Sequence, residues 1–409
     1  MKIIEINEVP YGSTGRIALG IKQTAEKFGI ETTLAFGYSW HPMTEIKGSY
    51  YKIGGPFNKL FHMFCSIFWG GEGFLSLIST ALLIGKLRKE RYDIIHLHNI
   101  HGSFLNLHML FSYIKKKNIP VVWTFHDCWP FTGGCTHFTL NNCDKWKNGC
   151  NKCEYKKHFE ANPCMSALRY QCKKKWFTGI SNLIIVTPSK WLCGLVKQSF
   201  LNEYPIKVIN NGINTEVFDY KRSNNGKLCS YDKHTILGVA MGWTYSKGLD
   251  AFIELARIID DDRYEIVLVG TSREIDKQLP ENIVSIHRTE NVQQLVDIYS
   301  SASVFFNPTR EDTYPTVNLE AIACGTPVVT FDACGSPETV NAVSGRVVKN
   351  RDVISAYREI EKICLDEEKN REKIAREAHL FQRDECFKKY CELYLDIFKN
   401  KDRRETLGN

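Results

Sequence analysis

The sequence has no Gly-x-Gly-x-x-Gly turn followed by a ribose-binding acid, so a dinucleotide-dependent dehydrogenase is not expected. It has no apolar run long enough to cross a bilayer. The most apolar stretch, Phe57 to Ile84, is interrupted by Gly70-Gly71-Glu72-Gly73, which leaves two pieces that are each too short. It has no internal repeat and no low-complexity segment. Charge of one sign is scarce: 53 basic residues exceed the acidic ones enough for a net +7. That excess is too dispersed to argue for nucleic acid, but it favours an anionic substrate or membrane surface. The opening Met1-Lys2-Ile3-Ile4-Glu5-Ile6 does not read as a secretion signal, because Glu5 and Glu8 interrupt the apolar run. It is expected to form a buried first strand. Fifteen cysteines without such a signal are expected to be reduced thiols in a cytosol.

Apolar residues make up 43% of the chain, enough for real cores, and the length suggests two domains. Strands are expected at Lys2–Ile6, Thr33–Phe36, Ile94–His98, Val121–Phe125, Leu183–Thr187 and Lys207–Ile209, with helices such as Gly15–Phe28 between them. This alternation predicts a doubly wound parallel α/β sheet over residues 1–217. A polar interval, 218–233, reads as a linker. The pattern then restarts over 234–375, with strands expected at Thr235–Ala240, Glu265–Val269, Val284–His287, Val304–Phe306 and Pro327–Phe331. Charged amphipathic helices follow. Two readings fit Phe57–Ile84: a helix pair at a membrane surface, flanked by Lys86, Arg88, Lys89 and Arg91, or helices packed inside the first domain. The second is preferred.

The second domain carries the densest chemistry. Val304–Phe306 runs into Asn307-Pro308-Thr309-Arg310-Glu311-Asp312, a turn with two acids. Pro315 suits a first helical turn, the helix Thr316–Cys324 stops at Gly325, and Thr326-Pro327 leads into the next strand. The free N–H groups of that helix start would face the strand ends, a seat for a diphosphate. Glu320 and an acid just before the helix would flank one pocket, one accepting from vicinal ribose hydroxyls and the other from sugar hydroxyls. Upstream, Lys247 follows an expected strand and is placed to neutralise a leaving diphosphate.

These runs resemble glycosyltransferase family four, the retaining GT-B enzymes with an E-x7-E element and a Glu-Ala-x-Ala-Cys-Gly-Thr-Pro-Val-Val signature. The signature here is Glu320-Ala321-Ile322-Ala323-Cys324-Gly325-Thr326-Pro327-Val328-Val329. Asp312 stands in the first acidic position with Glu311 beside it, and either acid can fill the donor-sugar role. Thr313-Tyr314-Pro315-Thr316 replaces the frequent Gly-Phe-Gly-Leu, and Gly242 stands where an Arg is common. Lys247 then acts alone or with Arg16 of the facing domain. The resemblance implies two Rossmann-like domains facing a cleft, with Glu311 and Asp312 catalytic beside Lys247. It places the donor against Lys247, Arg288, Thr313, Tyr314, Thr316, Val317 and Glu320, and implies a tail, 376–409, crossing back onto the first domain. Gly335-Ser336-Pro337-Glu338 resembles the family's Gly-x-Pro-Glu turn, a structural support.

In the first domain, Tyr11-Gly12-Ser13-Thr14-Gly15-Arg16 opens a helix, and Gly12 and Gly15 would let backbone N–H groups approach a phosphate. The run resembles the family's first loop, which covers the donor diphosphate or borders the acceptor. His96-Leu97-His98 puts two rings on one strand face, a metal-binding arrangement or a hydrogen-bonded pair, the latter preferred. His126 resembles the family's donor-sugar histidine, and Asp127 is placed to orient acceptor hydroxyls. No protein nucleophile is evident. The resemblance implies front-side displacement, with the departing phosphate taking the acceptor proton.

Cys135, Cys143, Cys150 and Cys153 fall in one loop. The last pair has a usual zinc half-site spacing and the first pair does not, so a structural zinc and packed free thiols both fit. The loop, with Trp129-Pro130-Phe131 and Trp146, resembles a subgroup found in bacterial capsule and exopolysaccharide gene sets. The expected protein is a cytoplasmic, retaining, hexosyltransferase-type enzyme whose chemistry needs no metal, acting at the inner face of the membrane in one reading. It would move a sugar from a UDP- or GDP-sugar to a glycan or lipid-linked acceptor, with no nucleic-acid partner. A nucleotide-sugar epimerase of the same fold and a non-catalytic nucleotide-sugar-binding protein are the alternatives.

Overall fold

The computed structural model describes residues 1–39, 46, 48–154, 162–223, 233–349, 351–366 and 370–407, with side chains described except at 163 and 401–407. Residues 224–232 of the expected linker therefore lie outside the described residues. The chain divides into two compact units, Met1–Asn210 with Asp384–Asn409, and Asn211–Arg383. These boundaries fall at 210 and 383, where the sequence pattern predicts 217 and 375. The difference has a local cause: Ile213 bridges Gln382 in parallel register, and the Phe218 ring packs 6.3 Å from that of Tyr299, so this segment belongs with the second unit.

The first unit holds seven strands: β1 (Lys2–Asn7), β2 (Glu31–Gly37), β3 (Tyr50–Ile53), β4 (Ile94–Leu97), β5 (Val121–Thr124), β6 (Leu183–Thr187) and β7 (Ile206–Val208). They run parallel in the order β3-β2-β1-β4-β5-β6-β7. Parallel sheets need helices on both faces, so their central strands read as continuous apolar runs. Ile3, Ile4, Ile6, Ile94, Ile95, Val121, Val122 and Trp123 are accordingly fully buried. Each such side chain contributes roughly 1.5–3 kcal/mol of burial, so a charge at Ile4 would break the sheet at its centre. The helix Arg383–Leu407 packs on this unit: Tyr394 Oη lies 2.6 Å from His96 Nδ1, and Thr124 Oγ1 lies 3.1 Å from Tyr390 Oη.

The second unit holds β8 (His234–Val239), β9 (Tyr264–Val269), β10 (Ile283–Ile286), β11 (Val304–Asn307), β12 (Val328–Phe331) and β13 (Gly345–Val348), parallel in the order β10-β9-β8-β11-β12-β13. Strand order reverses between β1 and β4 in the first sheet and between β8 and β11 in the second. At such a point the loops leaving two neighbouring strands diverge to opposite faces and open a crevice at the carboxyl ends.

Three expectations are corrected. β3 and β13 are strands that the alternation did not predict; both are short edge strands, each supported from one side only. Pro315 is the cap residue of the helix Thr316–Ala323, one position outside its first turn. The preferred reading of Phe57–Ile84 as packed helices fails for its first half. The helix Pro56–Trp69 buries only His62, Cys65 and Ser66, while Phe57, Leu60, Phe61, Phe64, Ile67 and Phe68 are exposed. Spacings of three and four residues put these on one stripe. No helix among the described residues is long and apolar enough to cross a membrane.

Candidate active site

In the second unit, the predicted residues gather where β8 and β11 end. Lys247 closes the loop after β8 and its Nζ lies 2.7 Å from Asp312 Oδ2 in the loop after β11. The charge of Asp312 raises the half-buried Lys247 ammonium above its ordinary value, against the effect of desolvation. Asp312 Oδ1 accepts from the Tyr314 N–H at 3.2 Å, so both of its oxygens are engaged. Gly248 lets the two loops meet: it has φ of 81°, and a Cβ there would lie 2.5 Å from the Pro308 carbonyl oxygen. Arg310, which the sequence reading passed over, ties them further. Its guanidinium grips Asp250 with two bonds of 2.7 Å, lies 4.2 Å from the Tyr245 ring centroid and donates to the Tyr245 carbonyl at 2.8 Å. The spacing of Arg310 and Asp250, 60 residues, leaves no local pattern to find.

The helix Thr316–Ala323 is fixed by its apolar face, with Leu319, Ala321 and Ile322 fully buried. Asn318, also fully buried, accepts from Asn307 Nδ2 at 2.7 Å and donates to Thr339 Oγ1 at 2.7 Å and Ser336 Oγ at 3.2 Å. Those bonds give the Gly335–Glu338 turn its supporting role. Glu320 is 8% exposed and its Oε2 accepts from the Tyr299 hydroxyl at 3.1 Å. Glu311, Thr313 and Tyr314 are buried on the approach to the helix, and Thr316 and Val317 are half-buried in its first turn. Arg288 is exposed just past β10, which β9 and β8 separate from β11. The neighbouring His287 Nε2 is held 2.6 Å from Asp276 Oδ2.

In the first unit, Gly12, Gly15 and Arg16 lie on the first turns of the helix Gly12–Lys27, directly after β1. Gly15 permits a close approach, since a Cβ would lie 2.5 Å from the Pro10 carbonyl carbon. Arg16 is exposed, with Nε 3.3 Å from the Gly12 carbonyl. At the ends of β4 and β5, a buried chain runs from Glu5 through His98 to His126. Glu5 Oε2 lies 3.4 Å from His98 Nε2, and His98 Nδ1 lies 3.1 Å from His126 Nε2. Burial pushes the Glu5 carboxyl well up and lowers His126 to about 4, so that ring is neutral. Glu5 is not among the expected site residues, and His98 is expected only as the partner of His96. Glu5, His96 and His98 also bring one donor atom each within 4.8 Å of one another. Both His96 ring nitrogens are engaged, however, by Thr124 Oγ1 at 2.8 Å and Tyr394 Oη at 2.6 Å, which supports the hydrogen-bonded reading over a metal.

Asp127 is committed to its own loop: Oδ1 accepts from the Trp129 N–H at 2.8 Å and Oδ2 lies 3.1 Å from His101 Nε2. Burial opposes the His101 charge, but Asp127, with Glu8 and Glu72, outweighs it and holds the ring at about 9. Burial likewise opposes the Asp127 charge and is outweighed by His101, leaving that carboxyl below its ordinary value. A histidine raised in the folded chain stabilises fully below its ordinary value of about 6.5 and loses that contribution as pH rises through the folded value. The melting temperature is therefore expected to fall between pH ~6.5 and ~9 more steeply in the wild type than in His101→Asn, by scanning calorimetry. Equal slopes would show that this pair carries no pH-linked stability. Cys135, Cys143, Cys150 and Cys153 line one cavity of about 440 Å³ beyond this loop.

Two all-parallel α/β units, each with charged and glycine-bearing loops at its switch point, make this a GT-B protein. Residues 59–217 match the family model described as Glycosyltransferase Family 4, and residues 223–380 match Glycosyl transferases group 1. WcaC of Escherichia coli, described as a colanic acid biosynthesis glycosyl transferase, is 22% identical over 377 residues, 87% of this chain and 89% of its own. Sucrose-phosphate synthase from Thermosynechococcus elongatus superposes with a TM-score of 0.73 at 16% identity, covering 98% of this chain and 99% of that one. The Anabaena HepE structure with UDP and glucose has a TM-score of 0.67 at 13% identity, covering 96% and 99%. The chain belongs to glycosyltransferase family 4.

Proposed function

We propose that this glycosyltransferase moves a sugar from a UDP- or GDP-sugar to a glycan or lipid-linked acceptor in bacterial surface polysaccharide synthesis, retaining the anomeric configuration without a catalytic metal. The observation that carries the reading is the grouping of Lys247, Glu311 and Asp312 with the Glu320 helix at the β8/β11 switch point. A helix start and an ammonium there suit a diphosphate. The colanic acid role named for WcaC supports the polysaccharide context, and the HepE complex supports a nucleotide-sugar donor. In the reaction, the bond between the anomeric carbon and the diphosphate oxygen breaks as the acceptor oxygen bonds from the same face. The acceptor proton passes to the departing phosphate, whose charge Lys247 balances. Glu311, buried beside Asp312 on the approach to the helix, is assigned the donor-sugar hydroxyls, and Asp312, which holds Lys247 and the Tyr314 N–H, the positioning of the lysine. Incubation with a panel of UDP- and GDP-sugars, followed by mass spectrometry, should show nucleoside diphosphate released from one donor. Neither binding nor turnover across the panel would overturn the reading.

The exposed stripe of Pro56–Trp69 supports peripheral membrane contact, with Lys86, Arg88, Lys89 and Arg91 nearby in sequence as partners for anionic headgroups. In co-sedimentation with phosphatidylglycerol vesicles, Phe57→Ser with Phe61→Ser is expected to weaken binding about tenfold, since the helix face is immersed only part way. Binding that is unchanged by the pair would place the contact elsewhere.

A further inference from the structure

We propose that Cys135, Cys143, Cys150 and Cys153 bind one zinc ion as a tetrathiolate, and that this ion fixes the loop between β5 and the helix Ser166–Phe177. The proposal is independent of the donor reading. Among its described residues the loop contains only short 3-10 turns, Trp129–Phe131, Thr139–Asn141, Lys145–Lys147 and Pro163–Met165, so no long helix or strand defines its path. Its four cysteines nevertheless line one cavity.

The backbone repeats one device before each of them. Gly134, Asn142, Gly149 and Lys152 have φ of 140°, 46°, 131° and 44°, and each immediately precedes one of the four cysteines. They are the positive-φ residues among those described from 128 to 154. Asn142 and Lys152 bear this without a glycine's freedom, at a cost of roughly 1–2 kcal/mol each. Packed thiols give no reason for strained residues to coincide with the cysteine positions. A shared ion does, because each turn sets the direction of the following side chain at the one cavity that all four line.

Electrostatics agree. A zinc tetrathiolate carries two net negative charges, which a buried site must balance. Arg169 and Lys173, 1% and 2% exposed, lie at the root of the loop and offset part of that charge, although Glu72 Oε2, 3.5 Å from Arg169 Nε, takes up some of theirs. Lys173 Nζ donates to the Trp129 and Thr132 carbonyls at 2.8 and 3.2 Å, and Arg169 Nε donates to the Gly133 carbonyl at 2.8 Å. The Gly133 N–H itself donates to Cys150 Sγ at 3.1 Å, the backbone-to-sulfur bond that a metal-bound thiolate strengthens. The sulfurs do not yet form a closed group of the kind Glu5, His96 and His98 make, so binding also turns the thiol side chains inward. Because Asp127 accepts from the Trp129 N–H, an ordered loop root is an ordered end of β5.

The test is metal analysis of the full chain, expressed with added zinc and purified without chelator. One zinc per chain is expected, falling to less than about a tenth of an equivalent in Cys150→Ser and Cys153→Ser. Cys172→Ser, outside the cluster, should keep its zinc. Cobalt exchanged into the wild type should give the intense visible bands and sulfur-to-metal charge transfer of a tetrahedral tetrathiolate, a readout that needs no variant to fold. A zinc-free wild type with no such cobalt spectrum overturns the proposal, as does zinc retained at full occupancy in both serine variants.

Discussion

Lys247→Ala is expected to lower kcat by about 10²–10³-fold, with a smaller change in KM. The departing diphosphate gains negative charge as its bond to the sugar breaks, and a cation already in position stabilises that change without reorganisation. Lys247 is such a cation: it is charged at its ordinary value, Asp312, 2.7 Å from its Nζ, raises it further, and the Arg310–Asp250 clamp fixes the loop from which it extends. Asp312 therefore has a second task besides any contact with the donor, since it must yield Lys247 to the phosphate. Asp312→Ala should then leave the ammonium in place and cost much less than Lys247→Ala, whereas Glu311→Ala should impair use of the donor sugar. Lys247→Arg should recover part of the rate, because it keeps the charge while changing its geometry. The Lys247–Asp312 pair is partly exposed, so its loss should scarcely alter the melting temperature. Steady-state kinetics checks the set, and a kcat for Lys247→Ala within about threefold of wild type would remove the lysine from the leaving-group role.

Sequence patterns reached the parts of this site that are local in the chain. The run Glu320–Val329 spells a helix, its stop and the next strand in consecutive residues, and the structure has them in that order. The central strands were legible because parallel pairing buries both of their faces. β3 and β13 were not, because an edge strand such as Tyr50–Ile53 has exposed and buried positions without an apolar run. Pairings across long separations were equally hidden. Arg310 pairs with Asp250 from 60 residues away, and Glu5, which interrupts an apolar run in the sequence, lies opposite His96 of β4. The helix Pro56–Trp69 misled in the other sense: its composition is that of a core helix, and only its position in the unit shows that the stripe faces outward. Apolar composition reports a preference to leave water, and a protein core is only one way to satisfy it.

Glu320→Ala is expected to weaken donor binding by about 100-fold, the loss of two charge-assisted hydrogen bonds at roughly 1.5–3 kcal/mol each, partly recovered by water. The carboxylate is suited to vicinal ribose hydroxyls because it is held: the backbone of its helix is locked by buried Leu319, Ala321 and Ile322, and Tyr299 anchors Oε2. Removing it also strips the buried Tyr299 hydroxyl of that acceptor, at about 1–3 kcal/mol of stability. A weaker donor affinity in the alanine variant alone would thus be ambiguous. Glu320→Gln separates the two effects, since its amide oxygen can still accept from Tyr299 while the charge is gone; it should melt close to wild type and still bind donor more weakly. A 2′-deoxy donor nucleotide then completes a double-mutant cycle. The missing hydroxyl should cost the wild type affinity and cost Glu320→Ala almost nothing, measured by titration calorimetry. If both proteins lose the same amount, Glu320 does not touch the ribose, and the acid belongs to the framework of the helix.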